Sequence, residues 1–174
     1  LYEGVSGVAM FLFFSGKALG DTRSVKLAAK LFESCLVEIK KLKNPSVSGF
    51  TGTSSVVYAI HKCKIMDPDF GPTNADLEAI VYTIKDQLHK EKSLDVLGGV
   101  AGAALALLHY TQDTASKTGE HVLRTSLIKL KSAANQIIDG QTKVDGMSYI
   151  RGFSHGISGL ALSIFRLAGH LSDE

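Results

Sequence analysis

The chain contains no tryptophan, two cysteines and three prolines, and its charges of opposite sign nearly cancel. Each shortage excludes something. Cys35 and Cys63 cannot staple a disulfide-dense scaffold, and neither stands in a C-x-x-C or other ligand spacing. They read as buried free thiols, in keeping with a reducing compartment. Nineteen Lys and Arg against seventeen Asp and Glu leave +2, which gives no argument for nucleic acid or an anionic membrane surface. The basic run Lys40, Lys41 and Lys43 fits a solvated helix end, where cations meet the negative pole of the helix dipole. The longest uncharged apolar stretch, Val96 to Leu108, is too short to span a bilayer, so no transmembrane segment is expected. No charged leader precedes an apolar segment either. A soluble, cytoplasmic protein is expected. The opening on Leu1, inside a glycine motif, suggests a piece of a longer protein, truncated at both ends.

Apolar residues are plentiful at 45% of 174 residues, enough for one buried core. They are organised by glycine. Four segments share Gly-x-x-Gly followed by an apolar run: Gly4 to Gly7, Gly49 to Gly52, Gly99 to Gly102 and Gly156 to Gly159. The first glycines lie 45, 50 and 57 residues apart. Between them run segments of another kind, Asp21 to Lys43, Asp76 to His89 and Val122 to Ile138. There apolar residues recur at three- and four-residue spacing on an otherwise polar surface, as in Leu77, Ile80, Val81, Ile84 and Leu88, the signature of amphipathic helices. The glycine-led segments are apolar nearly all round and predict helices buried on all sides. Their alternation predicts seven helices, four inner and three outer, in two concentric layers. No strand of useful length is expected. The fold class is all-α, with about four helical-hairpin repeats and turns at Asn44-Pro45, Gly71-Pro72 and Asp139-Gly140.

If successive inner helices are equivalent, they start at one mouth. Each start carries unsatisfied N–H groups and partial positive charge, a setting for an anion. Glycine there lets backbone or substrate approach closely, though tight helix packing explains glycines equally well. The residues beside these starts are Glu3, Thr51, Gly98 and His155. His155 alone among them titrates near neutrality and suits a base or proton relay. Asp95 lies at another start; by itself it reads first as an N-cap, but together with His155 at one mouth it reads as catalytic. Tyr149 and Arg151 precede the His155 segment and could line the mouth. The remaining histidines read as surface or structural residues.

Leu1-Tyr2-Glu3-Gly4-Val5-Ser6-Gly7, Gly49-Phe50-Thr51-Gly52, the segment Ser93 to Gly102, and Gly152-Phe153-Ser154-His155-Gly156-Ile157-Ser158-Gly159 together resemble the lanthionine cyclase family. The likeness is greatest to the C-terminal cyclase domain of class II lanthipeptide synthetases, and it covers the whole chain. The resemblance implies the first half of an α/α toroid. It also implies addition of precursor-peptide cysteine thiols to dehydroalanine or dehydrobutyrine, forming thioether rings in lantibiotic biosynthesis. Asp95 and His155 would be catalytic, and Glu3, Thr51 and Arg151 would contact substrate. The family's zinc, held by two cysteines and a histidine, comes from Trp-Cys and Cys-His-Gly segments that this chain lacks. No metal ligand and no cofactor are therefore expected here, zinc is expected in the intact domain, and these residues alone should be inactive. The partner is a lanthipeptide precursor, and homodimerisation through exposed toroid edges is expected. Three other readings stay open: a non-catalytic helical scaffold or binding module, a carbohydrate-active α/α barrel, which would want a second carboxylate, and a family member that has lost catalysis and keeps peptide binding.

Overall fold

The structure, a computed structural model, describes residues 4–140, 143–144, 147–148 and 152–172. Among these lie seven helices: α1 Val5–Leu19, α2 Thr22–Lys41, α3 Thr53–Met66, α4 Asn74–Leu88, α5 Val100–Thr114, α6 Lys117–Ile138 and α7 Ile157–Ser172. A two-residue antiparallel pair, β1 Lys143–Val144 with β2 Met147–Ser148, interrupts the α6–α7 connection. The expected polar loop thus contains a small hairpin.

The two kinds of helix start differently. The outer helices α2, α4 and α6 carry side-chain caps. Asp21 accepts from the Arg23 and Ser24 N–H groups, Thr73 and Asp76 form a capping box, and Ser116 accepts from Gly119 N–H. Such caps satisfy orphan donors locally and let a helix begin in water. The inner helices α1, α3 and α5 follow Gly4, Gly52 and Gly99 and have no side-chain cap. At α3 and α5 the first donors are met by the incoming loops. Thr53 N–H bonds Ser46 O at 2.9 Å and Val100 N–H bonds Ser93 O at 2.9 Å.

Inner helices touch in succession, α1 with α3, α3 with α5 and α5 with α7, while α2, α4 and α6 form the second layer. Contacts at both ends make the inner helices parallel. At their C-terminal ends Lys17 pairs with Asp67 at 2.6 Å, His61 meets Asp113 at 2.8 Å and Gln112 meets His170 at 3.1 Å. At their starts the loops before α3, α5 and α7 are joined by hydrogen bonds described below. Parallel inner helices with an outer layer form the arc of an α/α toroid.

The core lies between the layers. Phe13 of α1 and Phe32 of α2 close on Phe70, from the α3–α4 loop, with ring centroids 4.3 and 6.1 Å from it. Leu77, Ile84, Leu107, Leu123 and Leu130 continue it, all fully buried. The expectation that every inner helix is buried all round holds for α3 and α5 only. On α1, Val8 and Phe11 are 55% and 69% exposed, and on α7 Phe165 is 74% exposed. The reason is geometric, since α1 and α7 each pack against an inner neighbour on one side only. Among the described residues, no helix is long and apolar enough to cross a membrane.

Candidate functional site

Helix starts correct the repeat register. The glycines that immediately precede inner helices are Gly4, Gly52, Gly99 and Gly156, 48, 47 and 57 residues apart. In the second unit the second glycine of Gly49-Phe50-Thr51-Gly52 leads the helix, not the first. Gly49 occupies the position of Val96 and Phe153, three residues before the leading glycine. It has its own reason to be glycine: a Cβ there would stand 2.1 Å from Gly102 O.

Backbone, not ligand, is what the other glycines admit. A Cβ on Gly52 would lie 2.3 Å from Ser46 O, on Gly99 2.3 Å from Ser93 O, on Gly102 1.8 Å from Val96 O and on Gly159 2.0 Å from Phe153 O. Each incoming loop therefore lies flat against the first turn of the helix it feeds. At α5 this consumes three donors in a row, Val100, Ala101 and Gly102, which bond the carbonyls of Ser93, Leu94 and Asp95. The expected anion site at converging helix starts is not available at α5, because its N–H groups are already spent on carbonyls.

The loops themselves interlock. Val96 and Leu97 N–H both reach Ser154 O at 3.1 Å, and Ser48 Oγ donates to Leu97 O at 2.7 Å. Across the same junction Asp95 Oδ2 lies 2.6 Å from His155 Nδ1. Asp95 Oδ1 accepts Gly98 N–H at 2.6 Å, so one oxygen holds its own turn while the other reaches the next repeat. The carboxylate is 6% exposed and the imidazole side chain 51% exposed. The carboxylate acceptor on Nδ1 assigns the proton to that nitrogen and leaves the lone pair on Nε2, an assignment that follows from the hydrogen bonding.

Thr51 is exposed at the neighbouring loop and donates to Ser48 Oγ at 3.2 Å. It lines a pocket of about 540 Å³ between α1, α2 and α3, walled also by Cys35, Ile39, Phe50 and Val56. Asp95 and His155 do not line that pocket. Glu3 and Arg151 lie outside the described residues, as does Tyr149.

The cysteines divide. Cys63 is fully buried, and desolvation pushes its thiol up to about 12. Cys35 on α2 is only half-buried, against expectation, and burial still pushes its thiol upward. Among the described residues no three His, Cys, Asp or Glu side chains converge to hold a metal. A zinc donor set of two thiolates and an imidazole does not fit these residues, since a metal needs deprotonated thiols side by side.

Sequence reasoning missed two contacts. Ser48, fully buried, is the hub of its loop; a serine beside Gly49 signals no more than a turn. The pair of buried His61 and exposed Asp113 sits at the opposite end of the inner helices, with the Tyr110 ring edge-on to His61 at 5.5 Å. Its partners are 52 residues apart, and no local pattern announces it.

The family model for the lanthionine synthetase C-like protein matches residues 1–174. The chain belongs to that family. No curated protein matches the sequence significantly.

Proposed function

We propose that this member of the lanthionine synthetase C-like family supplies the proton-handling half of a peptide cyclase, the reaction being addition of a cysteine thiol to dehydroalanine or dehydrobutyrine. The observation that carries the reading is the Asp95–His155 contact of 2.6 Å, made between two repeats, with the carboxylate buried and the imidazole half exposed. His155 Nε2 accepts the proton of a substrate thiol. The thiolate adds to the β-carbon of the dehydro residue, and the electron pair moves onto the adjacent carbonyl as an enolate. The imidazolium then returns its proton to the α-carbon, so S–H has added across the double bond with no net proton change. Asp95 keeps the ring in one orientation and stabilises its charged form between the two transfers. Thr51, exposed beside the apolar pocket, and Glu3 and Arg151 are proposed as peptide contacts. No step runs through a metal on these residues; zinc is proposed only for the intact domain.

The test uses the intact parent enzyme and a dehydrated precursor peptide. His155→Ala is expected to slow ring closure by about 10²-fold or more, in line with loss of a general acid–base group, while dehydration continues. Free peptide thiols, counted by alkylation and mass, report the difference. Ring closure at the normal rate would remove His155 from the chemistry and leave a helical peptide-binding scaffold as the better reading.

A further inference from the structure

We propose that Ser48 is a positioning residue for Asp95 and His155, acting through the peptide group of Leu97. The repeat register shows why. Ser48 and Asp95 both stand four residues before a helix-leading glycine, Gly52 and Gly99. Both do the same local work: Ser48 Oγ accepts Thr51 N–H at 3.1 Å, and Asp95 Oδ1 accepts Gly98 N–H three residues on at 2.6 Å. Both also reach forward into the next repeat, Ser48 to Leu97 O and Asp95 to His155. They are successive links of one chain of side chains running along the helix starts.

Leu97 is the point where the links join. Its N–H is held by Ser154 O at 3.1 Å and its carbonyl by Ser48 Oγ at 2.7 Å. Ser154 adjoins His155, and Leu97 lies inside the turn that Asp95 closes on Gly98. The two peptide groups flanking Leu97 thus fix the relative placement of carboxylate and imidazole: one bonds Ser154 O, and the other bonds Ser48 Oγ through its carbonyl and Asp95 Oδ1 through Gly98 N–H. Ser48 is fully buried and also takes Phe50 N–H at 3.2 Å and the Thr51 hydroxyl at 3.2 Å. Removing its oxygen takes the side-chain donor from Leu97 O and the side-chain acceptor from Thr51 N–H. The turn bearing Asp95 then loses its side-chain tie to the preceding repeat. Ser48 touches neither the imidazole nor the solvent, so its influence runs through geometry alone. Its value for catalysis rests on the reading of His155 as proton carrier, but the placement it enforces does not.

The experiment reads His155 itself. The chain is labelled with ¹⁵N-histidine, and long-range N–H couplings give the Nδ1–H to Nε2–H ratio of His155. In the unsubstituted protein the Nδ1–H form should dominate, and Asp95→Asn should abolish that bias. Ser48→Ala is expected to lower the ratio about 2- to 10-fold, the worth of one hydrogen bond. An unchanged ratio in a folded Ser48→Ala protein, with only its melting temperature lowered, overturns the proposal and leaves Ser48 a structural residue. Where Ser48→Ala does not fold, Ser48→Cys keeps the shape with a weaker donor; a smaller fall supports the proposal and no change overturns it. In the intact parent, Ser48→Ala should lower kcat for ring closure with KM unchanged. If the unsubstituted parent closes no rings, the cyclase reading fails, while the tautomer ratio still decides the role of Ser48.

Discussion

Replacing Gly102 by alanine isolates what holds the Asp95 loop in place. The new Cβ would stand 1.8 Å from Val96 O, a backbone atom that cannot swing aside as a flexible side chain would. To reach ordinary contact the loop must retreat by more than an ångström. Such overpacking costs about 1–3 kcal/mol. Retreat also breaks the bonds from Val100, Ala101 and Gly102 N–H to the loop carbonyls, which lie at 2.9, 3.4 and 3.3 Å. Each is worth about 1 kcal/mol net. Against this, alanine is the better helix former by about 1 kcal/mol. The net destabilisation is roughly 3–5 kcal/mol, which lowers the melting temperature by about 10 °C for a chain of this size. Urea unfolding followed by helical circular dichroism measures it, with the m-value unchanged if only the native state is affected. Gly98→Ala is the control, because a Cβ there meets only Asp95 Oδ1 at 3.6 Å. It should change stability by less than about 0.5 kcal/mol. Equal stability of Gly102→Ala and the unsubstituted protein, or equal damage from both substitutions, refutes the account of the glycines as seats for loop backbone.

Two further outcomes follow from the interlayer contacts. Burial alone would raise the Glu78 carboxyl, but hydrogen bonds from Thr118, Ser116 and Tyr110 outweigh it and hold the group below its ordinary value. A depressed carboxylate stabilises the fold above its unfolded pKa and stops doing so as pH falls through the folded one. Glu78→Gln should therefore cost about 1–3 kcal/mol at neutral pH, less if solvent screens the group, and the two proteins should converge in acid unfolding curves. Phe13→Ala, at a fully buried site between Phe70 and Phe14, should cost about 3–5 kcal/mol. Phe11→Ala, two residues away at 69% exposure, should stay within about 0.5 kcal/mol; thermal melts of the pair compare the two faces of α1.

The helices were legible because each layer solves a different burial problem and writes a different pattern. Outer helices must show a wet face, so Leu77, Ile80, Val81 and Ile84 alternate with polar residues, and α4 falls within two residues of its expected bounds. The apolar period places the start of α6 at Val122, whereas the helix begins at Lys117, because Lys117-Thr118-Gly119-Glu120 is polar and shows no period. Ser116 starts the helix there through its cap on Gly119, which a polar run conceals. In the second unit the glycine pattern and the helix start differ by three residues for a similar reason. Gly49 and Gly52 form the same pattern as the true helix-leading pairs, but Gly49 is glycine to receive Gly102 O from the next repeat. Sequence shows that a close approach is needed and not what approaches.

Asp95 and His155 could be paired from the sequence because both stand before leading glycines and both are chemically conspicuous. Ser48 stands in the same relation to Gly52 and passed unnoticed, being an ordinary turn serine. The structure makes these one phenomenon. In each junction the residue four before the glycine secures its own turn and reaches across to the next loop. Between the second and third units that reach is a neutral hydroxyl on a carbonyl; between the third and fourth it is a carboxylate on an imidazole. A repeat that must bond its neighbours at every junction already has the geometry of an oriented acid–base pair. On the proposed reading, substituting two side chains at one junction turns a structural tie into a site, and the junction before it keeps the tie that holds that site still.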